Sequence, residues 1–255
     1  AAGARDATFG ANGTVRVVLG QGTTDVGGGI VPLASGQVLV AGSGLSTGDM
    51  VIRRLSATGA GESFTSIADF GGTETVDQMI RQPDGRLVVV GSSTLGGGDM
   101  TIARFNADAT PDTTFGSGGR RRIDLGGDDE AISVARQSDG KLVIVGRGGP
   151  RSDLAVVRLD ADGANDTSFG SNSVRLVDLG GTDVGTGVAF TGDGRIVVTA
   201  SIGGMRSEPM TGYAYAATKA AVCNLVRHAA IELAPHGIRV NAIAPGPFET
   251  NIGNG

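Results

Sequence analysis

The sequence predicts a mainly β protein of propeller-like four-stranded repeats, three full blades and a partial fourth, followed by a C-terminal α/β helix–strand appendix. Three observations predict it. Glycine accounts for 45 of 255 residues without a collagen period, and glycine at that level marks many tight turns between short strands. A set of short motifs recurs along the chain at nearly constant spacing, which is the signature of a repeat architecture. The long helical pattern of the chain lies near the C-terminus, after the repeat has stopped.

The repeat is carried by four motifs. A turn appears as Ser35-Gly36-Gln37, Asp84-Gly85-Arg86, Asp139-Gly140-Lys141 and Asp193-Gly194-Arg195, with its glycines 49, 55 and 54 residues apart. Each turn opens a β-branched run, such as Leu87–Val90, Leu142–Val145 and Ile196–Val198. Thr-Phe-Gly or a close variant falls at Phe9, Phe64, Phe115 and Phe169, and an aspartate opens a strand at Asp49-Met50, Asp99-Met100 and Asp153-Leu154. Paired glycines follow a strand at Gly71-Gly72, Gly126-Gly127 and Gly180-Gly181. In the third period the strands read as Arg122–Leu125, Ala131–Arg136, Lys141–Val145 and Leu154–Leu159. Both faces of the last are apolar, and a sheet apolar on both faces needs a neighbour on each side. Four strands per period, stacked face to face, describe a propeller blade.

On these motifs the chain resembles the delta-sixty family of bacterial β-propeller repeats. The third repeat shows it best, in Asp139–Gly146, Leu154–Gly163 and Asp166–Gly170. The resemblance implies a scaffold or binding surface and brings no catalytic residue. Closed propellers typically have four to eight blades, so the stack stays open, is completed by another chain in an oligomer, or takes a strand from the tail.

After Val198 the pattern changes. The next strand should open near residue 207, where the chain reads Ser207-Glu208-Pro209. Val222, Leu225, Val226, Ala229 and Leu233 then form one apolar helix face within about Tyr213–Ala234, ended by Pro235 and Gly237. Gly237–Ile243 reads as a buried strand stopped by Pro245-Gly246-Pro247. Domains are therefore expected at 1–198 and 199–255. Ser201 at a strand end, Tyr215-Ala216-Ala217-Thr218-Lys219 fourteen residues on, and Val240-Asn241-Ala242-Ile243-Ala244-Pro245-Gly246 resemble the catalytic half of the short-chain dehydrogenase/reductase family. Tyr215 and Lys219, at i and i+4, share a helix face. A nearby ammonium favours the phenolate and lowers a tyrosine pKa from about 10, which suits proton exchange with an alcohol or ketone substrate.

The resemblance implies NAD or NADP as cofactor, Tyr215 as acid/base, Lys219 as its tuner and ribose ligand, and Ser201 as the group orienting the substrate. It further implies that Pro245, Gly246 and Thr250 contact the nicotinamide end and the phosphates. The family's N-terminal Gly-rich turn, Thr-Gly-x-x-x-Gly-x-Gly, is missing from the chain. Its formal match, Gly181-x-x-x-Gly185-x-Gly187, is in register with the repeat glycines and reads as repeat. The family's Asn-Asn-Ala-Gly stretch is also absent, and Asn172, like Asn12, holds a repeat turn position. The chain ends soon after Thr250, so the family's substrate lid is not expected. Two functions remain: a dehydrogenase-like segment on a β-repeat scaffold, not competent alone, or a non-catalytic module with a passenger tail. The shared strand Gly194–Thr199 suits both families, as a chimera would.

Net charge is −5, and the longest basic cluster, Arg120-Arg121-Arg122, reads as a solvated strand edge, so no nucleic-acid partner is expected. No apolar run reaches the ~18 residues of a membrane span. The chain lacks an initial Met and a visible signal peptide, as a processed product would. The single cysteine, Cys223, excludes an internal disulfide and leans the expectation toward the cytoplasm. Asp160–Asp166 has its glycine at the wrong position for a calcium loop and reads as a polar turn. His228 and His236 have no ligand partners at metal spacing.

Overall fold

The computed structural model describes residues 5–19, 25–44, 48–178, 182–190 and 196–203, with backbone alone for 62–65 and 196–203. The helix expected over Tyr213–Ala234 and the strand over Gly237–Ile243 lie outside the described residues. The first sheet is β1 (Asp25–Pro32), β2 (Val38–Gly44), β3 (Met50–Leu55) and β4 (Gly61–Ala68). The second is β5 (Gln78–Arg81), β6 (Leu87–Ser93), β7 (Asp99–Phe105) and β8 (Arg120–Ile123). The third is β9 (Glu130–Arg136), β10 (Leu142–Gly148), β11 (Asp153–Leu159) and β12 (Val174–Val177). Each is an antiparallel meander in chain order, and β13 (Thr182–Phe190) with β14 (Ile196–Gly203) forms a further two-stranded sheet. Among the described residues no helix occurs.

The Asp-Gly turns form these meanders by a simple device. Between β5 and β6, the Gly85 N–H donates to the Gln82 carbonyl at 2.9 Å and the Gln82 N–H to the Arg86 carbonyl at 2.8 Å. Pro83 presets the first turn residue, and the Asp84 carboxylate accepts the Arg86 N–H at 3.1 Å. Gly85 sits at φ +89°, the left-handed position that closes a type I hairpin turn with a bulge. Asn12 and Asn172, expected at turns, also lie at positive φ, 53° and 51°.

Period-two alternation then sends side chains to two different cores. Leu87 and Val89 of β6 pack with Leu39, Met50 and Ile52 of the first sheet. Val88 and Val90 pack with Leu142, Ile144 and Val157 of the third. On β10, Val143 and Val145 point the other way and meet Val188 and Phe190 of β13. Every position of β11 is buried, as its two apolar faces require. Close approach of strands also uses missing side chains. A Cβ on Gly146 would lie 1.8 Å from the Glu130 carbonyl oxygen, at the bulge between β9 and β10.

The repeat unit and the sheet are out of phase by one strand. The strand predicted at Arg122–Leu125 is β8, the outer strand of the second sheet, and the third sheet takes β12 as its own fourth strand. Residues 5–19 stand to the first sheet as 111–125 stand to the third. The Gly10 N–H bonds the Thr58 carbonyl as Gly116 bonds Asp162, both at 2.8 Å. The Leu19 N–H meets the Asp25 carboxylate as Leu125 meets Asp129.

Ile144 is fully buried between the second and third sheets, while Ile30 of the first sheet is 68% exposed. Ile144→Ala is expected to cost about 2–4 kcal/mol by cavity formation, and Ile30→Thr less than about 0.5 kcal/mol. Urea denaturation followed by circular dichroism measures both.

Candidate functional site

Of the residues expected to carry chemistry, Ser201 lies on β14, directly opposite Val184 of antiparallel β13. Tyr215, Lys219, Pro245, Gly246 and Thr250 lie outside the described residues. The glycine-rich stretch before Ser201 belongs to the blade. Gly185 sits at a register shift between β13 and β14, and a Cβ there would meet Leu154 Cδ1 at 2.6 Å and Val145 Cβ at 3.1 Å. Its missing side chain serves packing on the third sheet.

The Thr-Phe-Gly motif has a clear structural role. In the second sheet, Asp112 Oδ1 accepts the Thr114 N–H at 3.1 Å and its hydroxyl at 2.6 Å. Oδ2 accepts Nε of Arg104 at 2.7 Å, and both partners are buried. The Arg104 guanidinium lies 4.6 Å from the centre of the buried Phe115 ring and also donates to the Ala161 carbonyl of the third sheet. The third sheet repeats the clamp. There Arg158 Nε donates to Asp166 at 2.6 Å, Ser168 takes the threonine's place, and the guanidinium lies 4.7 Å from the Phe169 ring. Burial opposes ionisation of Asp112. The Thr114 hydroxyl and amide and the Arg104 guanidinium more than offset this and hold its carboxyl below the usual range. Asp166 is held lower still against the same burial, by Ser168, the Lys141 ammonium and Arg158. In the first sheet Gly61 occupies the aspartate's position, and β4 instead pairs with β3 from Gly61 onward.

A shallow cavity of about 430 Å³ opens where the second and third sheets meet, lined by Thr114, Ser117, Arg120, Arg121, Asp162 and Gly163. The basic triplet is the outer edge of its sheet, as its pattern suggests, yet all three members are tied down: Arg120 to the Asp69 carbonyl, Arg121 to Asn165 at 2.6 Å and Arg122 to Asp99. In the Asp160–Asp166 turn, Lys141 Nζ bridges Asp160 at 2.5 Å and Asp166 at 3.1 Å.

The junctions between sheets hold a third feature that sequence reading missed. Asp49, Asp69 and Glu74 bring one carboxylate oxygen each within 4.8 Å of one another, and so do Asp99, Asp124 and Asp129, and Asp153, Asp178 and Asp183. In every set the first residue precedes or opens the third strand of a sheet, the second follows its fourth strand, and the third belongs to the next sheet. A backbone bond pins the first to the third. The N–H groups of Glu74, Asp129 and Asp183 donate to the carbonyls of Gly48, Gly98 and Ser152 at 2.6, 3.1 and 2.9 Å. Buried carboxylates such as Asp99 and Asp129 repel by roughly 3 kcal/mol at this separation and an effective dielectric of ~20. Burial, with repulsion from Asp49 and Asp69, pushes Glu74 up to about 7. Burial likewise raises Asp129, helped by Asp124 and Asp99 against the amides of Leu125 and Gly149.

Comparison with known proteins finds different relatives along the chain. Residues 82–115 and 137–169 match the family model described as Domain of unknown function (DUF5122) beta-propeller. Residues 185–255 match the one described as Enoyl-(Acyl carrier protein) reductase. Protein FixR of Bradyrhizobium diazoefficiens is 54% identical over 59 residues, 23% of this chain and 21% of that protein. The sorbitol dehydrogenase of Cereibacter sphaeroides is 53% identical over 53 residues, 21% of this chain and 20% of that protein. The short-chain dehydrogenase/reductase SAT3 of Stachybotrys chartarum is 40% identical over 58 residues, 23% of this chain and 21% of that protein. The chain thus spans about a fifth of the length of the curated relatives it matches. A crystal structure of a puromycin hydrolase mutant aligns with 69% of this chain and 27% of its own, at 18% identity and a TM-score of 0.40. The C-terminal region therefore resembles short-chain dehydrogenases and the preceding part a β-propeller domain.

The clamp makes a testable claim. Asp112→Asn leaves Arg104 buried with its charge uncompensated and is expected to cost about 3 kcal/mol at pH 7. Asp112 titrates lower when folded than its unfolded value of about 3.9. Its stabilisation is therefore present above that pH and lost as pH falls through the folded value. Urea midpoints of wild type and variant should converge below about pH 4.

Proposed function

We propose that this chain is a β-repeat scaffold carrying a short-chain-dehydrogenase-derived segment, with the boundary near residue 198, and that it does not catalyse hydride transfer alone. The observation that carries the reading is the pairing of β14. In a doubly wound dinucleotide-binding sheet an interior strand has parallel neighbours on both edges. One edge of β14, including Ser201, is taken by antiparallel β13, which itself lies on the third sheet.

The described residues do not fit an NAD or NADP site. Gly185 and Gly187 of the formal phosphate-turn match stand in β13, and among the described residues no helix follows them to offer its N-terminus to a pyrophosphate. Where the dehydrogenase family places its nucleotide-binding half, upstream of the serine, this chain has three four-stranded sheets. On this reading Ser201, Tyr215 and Lys219 descend from a substrate-orienting, proton-transferring set, and Pro245, Gly246 and Thr250 from a cofactor contact.

Fluorescence titration with NADH and NADPH tests the proposal. No saturable signal is expected up to millimolar cofactor, and Lys219→Ala should be indistinguishable from wild type. Saturable binding that Lys219→Ala abolishes would overturn it. The spacing of Ser201, Tyr215 and Lys219 favours one second reading, in which a partner chain supplies the nucleotide half and an alcohol or ketone is the substrate. Cofactor binding appearing only when such a partner is added would select it.

A further inference from the structure

We propose that Asp49, Asp69 and Glu74 form a calcium-class divalent cation site at the junction of the first and second sheets, a carboxylate set that recurs as Asp153, Asp178 and Asp183 two junctions further on. Three observations carry this. The first is geometric: the three carboxylate oxygens lie within 4.8 Å of one another. Calcium holds oxygens at about 2.3–2.6 Å, so two ligands on opposite sides are about 5 Å apart, and one ion spans the set. The set is all carboxylate, the donor type that suits calcium, magnesium and manganese over softer metals.

The second is an unpaired atom. Glu74 is 1% exposed, its Oε1 accepts the Ser93 hydroxyl at 3.1 Å, and its Oε2 is buried with no hydrogen-bond partner. A buried, unpaired carboxylate oxygen is costly, and a native structure retains one where something else satisfies it. Asp153 Oδ1 is buried in the same way at the repeated site.

The third is the middle junction. There Arg122 of β8 pairs with Asp99, so the chain supplies its own cation to Asp99, Asp124 and Asp129. Arg122 faces Thr101 across the β7–β8 ladder, and the residues in that register are Ile67, facing Val51, and Leu176, facing Ala155. Among the described residues no ion pair involves Asp49, Asp69 or Glu74. At the first junction, where Ile67 stands in the arginine's register, the positive charge comes from solution; at the third, Arg151 lies 3.3 Å from Asp178. The bound ion would tie consecutive sheets together, since Glu74 belongs to the next repeat.

The full chain, stripped with chelator, is the material for the test. Equilibrium dialysis with radioactive calcium at pH 7.5 should show saturable binding. Calcium should raise the melting temperature by several degrees, as a ligand of the native state does, with magnesium weaker at equal concentration. Asp69→Asn changes an exposed ligand and is expected to remove one bound ion without lowering the melting temperature of the stripped protein, since it relieves repulsion on Glu74. Glu74→Gln should remove the same ion. Ile67→Arg, copying the middle junction, should raise the melting temperature of the stripped protein and cancel the calcium effect at this site. The proposal is overturned by no saturable calcium binding at millimolar concentration, or by binding that Asp69→Asn and Glu74→Gln both leave unchanged. A melting temperature that rises from pH 8 to pH 6 and ignores calcium at both would also overturn it, since a shared proton then satisfies the carboxylates.

Discussion

Water must be removed from both faces of the middle sheets, and the architecture answers to that requirement. Leu87 and Val89 face one neighbour while Val88 and Val90 face the other. A single sheet with such a sequence would expose one apolar face, at about 25 cal/mol per Å² left in water. Stacking is therefore the condition under which any one sheet is stable. It also fixes where loops meet, because turns at the same end of consecutive sheets are carried side by side.

The polar chemistry follows from that juxtaposition. The outer strands β8 and β12 have only four residues each, too few to be held by ladder bonds alone. The arginine–aspartate–phenylalanine clamp secures the long link that leads into each of them. The guanidinium reaches beyond its own sheet, since Arg104 bonds the Ala161 carbonyl. At another part of each junction, packing brings carboxylates from consecutive repeats closer than their charges favour. One junction answers with Arg122 and its neighbours have apolar residues in that register.

Much of the fold is legible in the sequence because its signals are local. Asp84-Gly85 and Asp139-Gly140 each encode a turn by a positive φ and a side chain that caps its own loop, and the runs after them alternate with period two. The phase of the repeat is not legible. The short link from Ile123 to Glu130 passes between sheets, while the longer link from Phe105 to Arg120 stays within one, so proximity along the chain misleads. What reverses the ordinary expectation is the clamp, which fills the longer link with Asp112 and Phe115. Its signal was present: an arginine stands eight residues before the aspartate at both Arg104–Asp112 and Arg158–Asp166. The carboxylate sets were harder to see, because each joins three loops. Only the recurrence of all three positions, 49, 99, 153 with 69, 124, 178 and 74, 129, 183, gives them away. For the C-terminal segment, motif spacing carries a resemblance. A chain can keep Ser201, Tyr215 and Lys219 at the right intervals while the strand bearing the serine pairs as part of a blade.

The backbone bond that recurs at each junction, from Glu74 to Gly48 and from Asp129 to Gly98, has a thermodynamic corollary. Among the described residues the sheets pack against the sheets beside them, so the energetics reduce to a linear chain of intrinsic and nearest-neighbour terms. In such a system cooperativity is a property of the interfaces: strengthening one link fuses two units into a single melting block, and weakening it lets the terminal unit fray while the interior persists.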